Sequence, residues 1–199
     1  MSKRLFDLAA AALGLAVLAP LLLAIACWIK LDSPGPVLFR QQRVGRHGIL
    51  FTIFKFRTMR ADAEPARQLT VGQDERITRA GTCLRHHKLD ELPQLWNVLE
   101  GSMSLVGPRP EVPRYVASYP PALRSVVLSV APGITDWASI HFKEENAILG
   151  RASDPERAYL DTILPIKLEY YVRYVRERSF RTDLRIIVHT LAALLRSPS

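Results

Sequence analysis

The chain has 199 residues, 48% hydrophobic and 23% charged, and its 27 Lys and Arg against 19 Asp and Glu leave a formal net charge of +8. That length and apolar content suit one domain with a sizeable core, and they exclude a disordered, collagen-like or disulfide-rich chain. Two cysteines in unlike contexts, Cys27 and Cys83, argue against a disulfide framework or zinc cluster, and the cationic excess suits an anionic partner: nucleic acid, an acidic membrane face or a phosphorylated substrate.

The first predicted element is apolar. Leu8 to Ile29 carries no charge over 22 residues, enough at ~1.5 Å per residue to cross a bilayer core of ~30 Å. Pro20 removes a helical donor near its middle, which favours a bend. One reading is a kinked spanning helix. The flanks favour another, because Lys3 and Arg4 precede the run while Lys30, Arg40, Arg43 and Arg46 follow it, so both ends look cytoplasmic. A helix that enters, breaks at Ala19-Pro20 and leaves by the same face satisfies both flanks. A signal sequence is a third reading that Asp7, Pro20 and the apolar continuation through Leu31 fit poorly.

Ser33-Pro34-Gly35-Pro36 punctuates the chain, and a globular part is expected to start there. Val37 to Val44 and Ile49 to Arg57 are rich in β-formers around Gly45-Arg46-His47-Gly48, which predicts a hairpin. Lys55 and Arg57 fall on one face about 7 Å apart, a spacing that can straddle a diphosphate or can belong to a solvated sheet face.

The densest stretch runs from Ile77 to Glu111. Leu89, Leu92, Leu95, Trp96 and Leu99 predict one buried helix face. Pro93 belongs in that helix's first turn, which makes Asp90 a cap or near-cap residue in the positive field of the helix start. That field, with Arg85 and Lys88 close in sequence, is expected to keep Asp90 ionised, and an ionised carboxylate can be a nucleophile. Glu91 adds a hard oxygen donor suitable for Mg²⁺ bridging a diphosphate, although a plain capped helix has the same pattern. Pro108-Arg109-Pro110 is a rigid turn that holds Arg109 for bidentate anion recognition or leaves it solvated. His86 and His87 read as surface residues.

Asp154-Pro155-Glu156 is expected to open a helix, and Ile163 to Val175 is amphipathic. From Ser179 the residues Phe180, Leu184, Ile187, Leu191 and Leu194 form a helical stripe, read as a core face with a membrane surface as the alternative.

Taken together, KRLFD, IKLDSPGPVLF, KFRTM, LDELPQLWNVLEGSMSLVGPRPE and PGIT, in this order over essentially the whole chain, resemble the bacterial sugar transferase family of monotopic phosphoglycosyl transferases, in its minimal form without an extra N-terminal membrane bundle. The resemblance implies a mostly helical α/β, monotopic membrane protein on the cytoplasmic face of the bacterial inner membrane. Residues 1–32 would form a re-entrant helix broken at Ala19 and Pro20, 33–150 a small catalytic α/β body with a β-hairpin, and 151–199 amphipathic helices packed on that body. It implies transfer of a sugar-1-phosphate from a UDP-sugar donor to undecaprenyl phosphate, with UMP released. Asp90 would be the covalent nucleophile and Glu91 the partner of Mg²⁺, with Asp90 beside it. Lys55, Arg57, Arg85 and Arg109, the last framed by Pro108 and Pro110, are the expected phosphate and nucleotide ligands. Inner-membrane lipid and a second copy of the chain are expected partners, nucleic acid is not. A one-step transferase and a non-catalytic basic membrane-surface protein are the rival readings. Ala19, Asp136 and Ser139 depart from the family pattern.

Overall fold

The computed structural model describes residues 2–60, 74–142 and 145–195. The first element, α1 (Ser2–Asp32), is one helix about 46 Å long at ~1.5 Å per residue. It continues as helix through Ala19 and Pro20, the expected break. Lys3–Asp32 is long and apolar enough to cross a membrane, yet α1 is tied to the rest of the protein at both ends. Near its start Asp7 is buried and accepts from Ser104 Oγ at 2.8 Å, Lys3 Nζ lies 2.6 Å from Asp183, and Arg4 donates to the carbonyls of Val98 and Leu99 at 2.6 and 3.0 Å. Lys3 and Arg4, read in the sequence as flanking charges, are thus intramolecular ties. At the other end Ile25 and Ile29 pack on Phe56 and Leu84, and Asp32 accepts from the Ala80 amide at 3.1 Å. Leu13, Val17 and Leu23 between these ties are exposed.

The predicted hairpin is present: β1 (Leu38–Val44) pairs antiparallel with β2 (Leu50–Phe56), Phe39 opposite Lys55 and Val44 opposite Leu50. Helix α2 (Arg79–His86) starts with Thr78 capping the Gly81 amide at 3.0 Å. Gly81 is required there, since a Cβ would stand 2.0 Å from the Thr58 carbonyl oxygen. After one 3₁₀ turn, Leu89–Glu91, the chain enters α3 (Gln94–Glu100). The expected leucine face is rotated only in part, since Leu95 and Leu99 still pack half-buried against Val98 and Met103. Gln94, Asn97 and Val98 are buried while Trp96 is 54% exposed. Asn97 explains the rotation: its amide accepts from Phe54 N at 3.0 Å and donates to Thr52 O at 2.8 Å, so a polar side chain joins the helix to β2.

A second, parallel pair joins β3 (Ser104–Val106) to β4 (Gly133–Thr135). Around it run α4 (Pro113–Ala117), α5 (Pro121–Val127), α6 (Trp137–His141), α7 (Glu145–Gly150), α8 (Pro155–Ala158), α9 (Leu164–Glu177) and α10 (Phe180–Leu195). Asp154 caps α8 as expected, accepting from Arg157 N at 3.0 Å. The main core packs Tyr115, Val116, Leu149, Tyr159, Leu168 and Tyr171 from α4, α7, α9 and the π-helical turn Tyr159–Ile163. Of the α10 stripe expected to be core, Phe180, Leu184 and Leu191 are exposed, with Val188 beside them, whereas Ile187 packs half-buried against Val106 and Ile186, and Asp183 and Ile186 face inward. Asp183 decides that orientation, because its carboxylate takes Tyr174 OH at 2.7 Å as well as Lys3. Among the described residues the fold is therefore mostly helical, with two small sheets and one long apolar helix, α1.

Candidate active site

The hairpin, α2, the 3₁₀ turn and the segment after β3 border a cleft of ≈ 1300 Å³, larger than the ~300–1,000 Å³ of a common small-ligand site. Lys55, Arg57, Arg85, Asp90, Glu91 and Arg109 all line it, so the structure brings together every charged residue singled out by the sequence.

Each is delivered by a local constraint. Lys88 adopts the left-handed region at φ 56, reversing the chain between α2 and the 3₁₀ turn so that Asp90 and Glu91 face the cleft. Arg109 is held by its flanking prolines and by the contact of Gly107 with Gly133, where a Cβ on Gly133 would stand 2.0 Å from Gly107 N. Gly133 N then donates to Pro108 O at 3.0 Å. Pro108 and Pro110 thus frame the arginine through the backbone.

Glu91 accepts from Lys55 Nζ at 2.7 Å and from two nitrogens of Arg109, Nη1 to Oε2 at 3.2 Å and Nη2 to Oε1. Burial pushes its carboxyl up, but the charges and hydrogen bonds of Arg109 and Lys55 outweigh it and hold Glu91 well below the usual carboxylate range. Lys55 is lowered, burial again being the largest cause, against the pull of Glu91. Asp90 is the opposite case. It is 8% exposed and its carboxylate accepts no hydrogen bond among the described residues. Burial pushes it up, opposed by Lys55 and helped by Glu91. This corrects the expectation of a carboxylate favoured by a helix start: Asp90 lies in the 3₁₀ turn ahead of α3, whose cap position is Pro93, and desolvation outweighs the nearby cations.

Arg57 also departs from its expected part. Its Nη1 donates to Pro34 O at 2.9 Å, and its Nη2 to Ser33 O at 2.6 Å and Ile29 O at 3.3 Å. It closes the carbonyl end of α1, and of its nitrogens Nε is without a partner. Arg85 Nε donates to Thr58 Oγ1 at 2.8 Å beside Asp90. Two departures from the family pattern are partners: Asp136 is buried, caps α6 through Ser139 N at 3.0 Å and accepts from Ser139 Oγ at 2.6 Å.

Sequence reasoning missed Arg43, Glu111 and Lys167, which line the same cleft. Glu111 was legible only as the end of a motif, and Lys167 lay within an ordinary amphipathic pattern.

A family profile described as bacterial sugar transferase matches residues 1–197. The chain is 41% identical over 199 residues to the UDP-glucose:undecaprenyl-phosphate glucose-1-phosphate transferase of Xanthomonas campestris pv. campestris, covering 98% of this chain and 39% of that protein. It is 38% identical over 196 residues to the UDP-N-acetylgalactosamine-undecaprenyl-phosphate N-acetylgalactosaminephosphotransferase of Aeromonas hydrophila, covering 97% and 43%. A UDP-glucose:undecaprenyl-phosphate glucose-1-phosphate transferase of Caulobacter vibrioides is 39% identical over 208 residues, covering 98% and 70%. The chain spans about two fifths of the length of the first two relatives.

Proposed function

The chain belongs to the bacterial sugar transferase family, and from that premise we propose that it moves a sugar-1-phosphate from a UDP-sugar to undecaprenyl phosphate through a covalent intermediate on Asp90. The observation that carries this reading is the division of labour between adjacent carboxylates. Glu91 is saturated by Lys55 and Arg109, while Asp90 has its oxygens uncommitted in the same cleft. An uncommitted, desolvated carboxylate is a better nucleophile than one already shared between cations.

In the first step an Asp90 oxygen attacks the β-phosphorus of the donor. The bond from that phosphorus to the bridging oxygen breaks, and UMP leaves with the electron pair. An acyl phosphate carrying the sugar remains on Asp90. In the second step a phosphate oxygen of the lipid attacks the same phosphorus, forming the lipid diphosphate sugar and restoring the carboxylate. Lys55, Arg85 and Arg109 offset the charge of the phosphates, and most of the catalysis is positioning and neutralisation.

Among the described residues no three His, Cys, Asp or Glu side chains are grouped to hold a metal. Mg²⁺ takes one or two protein carboxylates and leaves the rest of its shell to phosphate oxygens and water. Asp90, whose oxygens are uncommitted, would supply one, Glu91 would join it only on releasing part of its hold on Lys55 or Arg109, and when bound the ion would draw charge from the diphosphate.

Both ends of α1 are assigned to the cytoplasmic face. The support is mechanical: Lys3, Arg4 and Asp7 at one end and Ile29 and Asp32 at the other are bonded or packed to the same body. If α1 crossed the bilayer, the single body bonded to both of its ends would have to be divided between the two faces. Exposed Leu13, Val17 and Leu23 of α1 and the outer stripe of α10 then form the lipid-facing surface, joined where Phe6 meets Phe180 edge to face at 5.1 Å.

The test is incubation with a UDP-sugar and Mg²⁺ without lipid, followed by intact-protein mass spectrometry. The expected result is one added sugar phosphate, mapped to the peptide with Asp90 and absent from Asp90→Asn. Turnover to lipid product with no adduct after rapid quench would point to the one-step mechanism, and full turnover by Asp90→Asn would remove Asp90 from the chemistry.

A further inference from the structure

Around Asp90 and Glu91 the charges of the cleft fall into two groups of different character. The cations Arg85 and Lys88 act on Asp90, and Arg60 and Arg76 line the same cleft, Arg76 paired with Asp74 at 2.6 Å. Beside Glu91, reached through Arg109 and Pro110, the lining is mixed. Arg43 Nη1 donates to Pro110 O at 3.1 Å and lies 3.8 Å from Glu111 Oε2. Glu111 Oε1 accepts from Tyr159 OH at 2.6 Å and stands 4.0 Å from Lys167 Nζ. Lys167 pairs with Glu145 at 2.6 Å and sits 4.9 Å from the centre of the Tyr159 ring.

Among the described residues, the carboxylates lining the cleft apart from the dyad are Glu111 and Glu145, both in this second group. Carboxylates repel phosphate but accept well from hydroxyls, whereas a wall dominated by cations suits phosphate better than a hydroxyl in need of an acceptor. Lys167 is 4% exposed and Glu111 7%. Burying this many charges is expensive relative to an apolar lining and adds little net stability, so the group calls for a purpose beyond holding the fold. One donor is also left over, because Arg43 Nε is buried without a partner. Tyr159 opens a π-helical turn, a local irregularity that recurs at functional sites.

We propose that Arg43, Glu111, Glu145, Tyr159 and Lys167 form the subsite that recognises the uncharged, hydroxyl-rich sugar of the donor, an inference that rests on the function proposed above. Sugar hydroxyls donate to Glu111 and Glu145 and accept from Arg43 Nε and Lys167. Discrimination among sugars then follows from which ring positions present those hydroxyls, since a buried acceptor left unmatched costs more than a missing contact in water.

Titration of full-length Asp90→Asn protein, which holds the donor without passing it on, tests this independently of turnover. The probes are UDP and the UDP derivatives of glucose, galactose, N-acetylglucosamine and N-acetylgalactosamine. Adding Glu145→Gln, which keeps the shape, or Tyr159→Phe, which removes one hydroxyl, should weaken the best UDP-sugar at least tenfold. The four sugars should be affected by unequal factors, and UDP should change less than twofold. Equal weakening of UDP and all four UDP-sugars, or no change in any of them, overturns the subsite and leaves a structural ion-pair network. Failure of UDP itself to bind before the second substitution overturns the proposed function, and the subsite with it.

Discussion

Asp90 and Glu91 are neighbours in the chain with opposite consequences for stability. Glu91 is held below its ordinary value, so its contribution is complete above that value and is lost as pH falls through the depressed one. Asp90 is raised by burial, so stability declines as pH rises from the ordinary aspartate range through the raised value, and at neutral pH the ionised form is a liability. Asp90→Asn should therefore raise the melting temperature while abolishing turnover. Glu91→Gln, which leaves the buried Lys55 and Arg109 without their anion, should cost about 3 kcal/mol and lower it. Calorimetry at neutral pH on the two variants checks both signs. The same raised value should set the acid limb of kcat/KM above the pH of an ordinary aspartate, since attack needs the carboxylate. A pH–rate profile over pH 4 to 8 measures it. Arg109→Lys keeps the charge but cannot meet Glu91 through two nitrogens, so kcat/KM should fall more than tenfold, about 1.4 kcal/mol. A change within twofold would make Arg109 a turn residue.

At the scale of elements, Arg57 and α10 separate what a sequence pattern shows from what packing decides. Arg57→Met removes the donors that close the end of α1, and should cost about 2 kcal/mol of stability while UMP affinity stays within twofold. A large loss of UMP affinity with unchanged stability would return Arg57 to the phosphates. Leu184→Lys with Leu191→Lys should weaken binding to anionic liposomes at least 100-fold in a flotation assay and leave the melting temperature in place, because both side chains are on the outer stripe. The hairpin, the α8 cap and the turn that carries Asp90 and Glu91 were legible because turn residues, alternation and prolines act over a few positions. The carbonyl contacts of Arg57 were not legible because its acceptors, on Ile29, Ser33 and Pro34, are more than twenty residues away. The α10 stripe was misread because an apolar periodicity says which residues share a face, whereas Asp183, bonded to Lys3 and Tyr174, says which face turns inward. The network of Glu111, Tyr159 and Lys167 was invisible for the same reason, its members meeting only in the folded chain.

For the whole molecule, the shared body beneath both ends of α1 predicts that cysteines placed at Ser2 and Pro34, with Cys27 and Cys83 replaced by Ser, are both shielded from a membrane-impermeant thiol reagent in intact cells and both labelled after permeabilisation. Periplasmic labelling of one site would establish a spanning helix. The bond from Lys3 to Asp183 joins positions 180 residues apart. At roughly 5–20 residues per second, the N-terminal helix leaves the ribosome about 10–40 s before its last partner has been made. For that interval its apolar face meets the translation machinery and the membrane before it meets its own protein. Early insertion across the bilayer would carry Lys3 and Asp7 out of reach of Asp183 and Ser104. The geometry of α1 is thus completed only once α10 has been made, and a ribosome that stalls before α10 leaves a membrane-active helix whose Lys3 lacks Asp183.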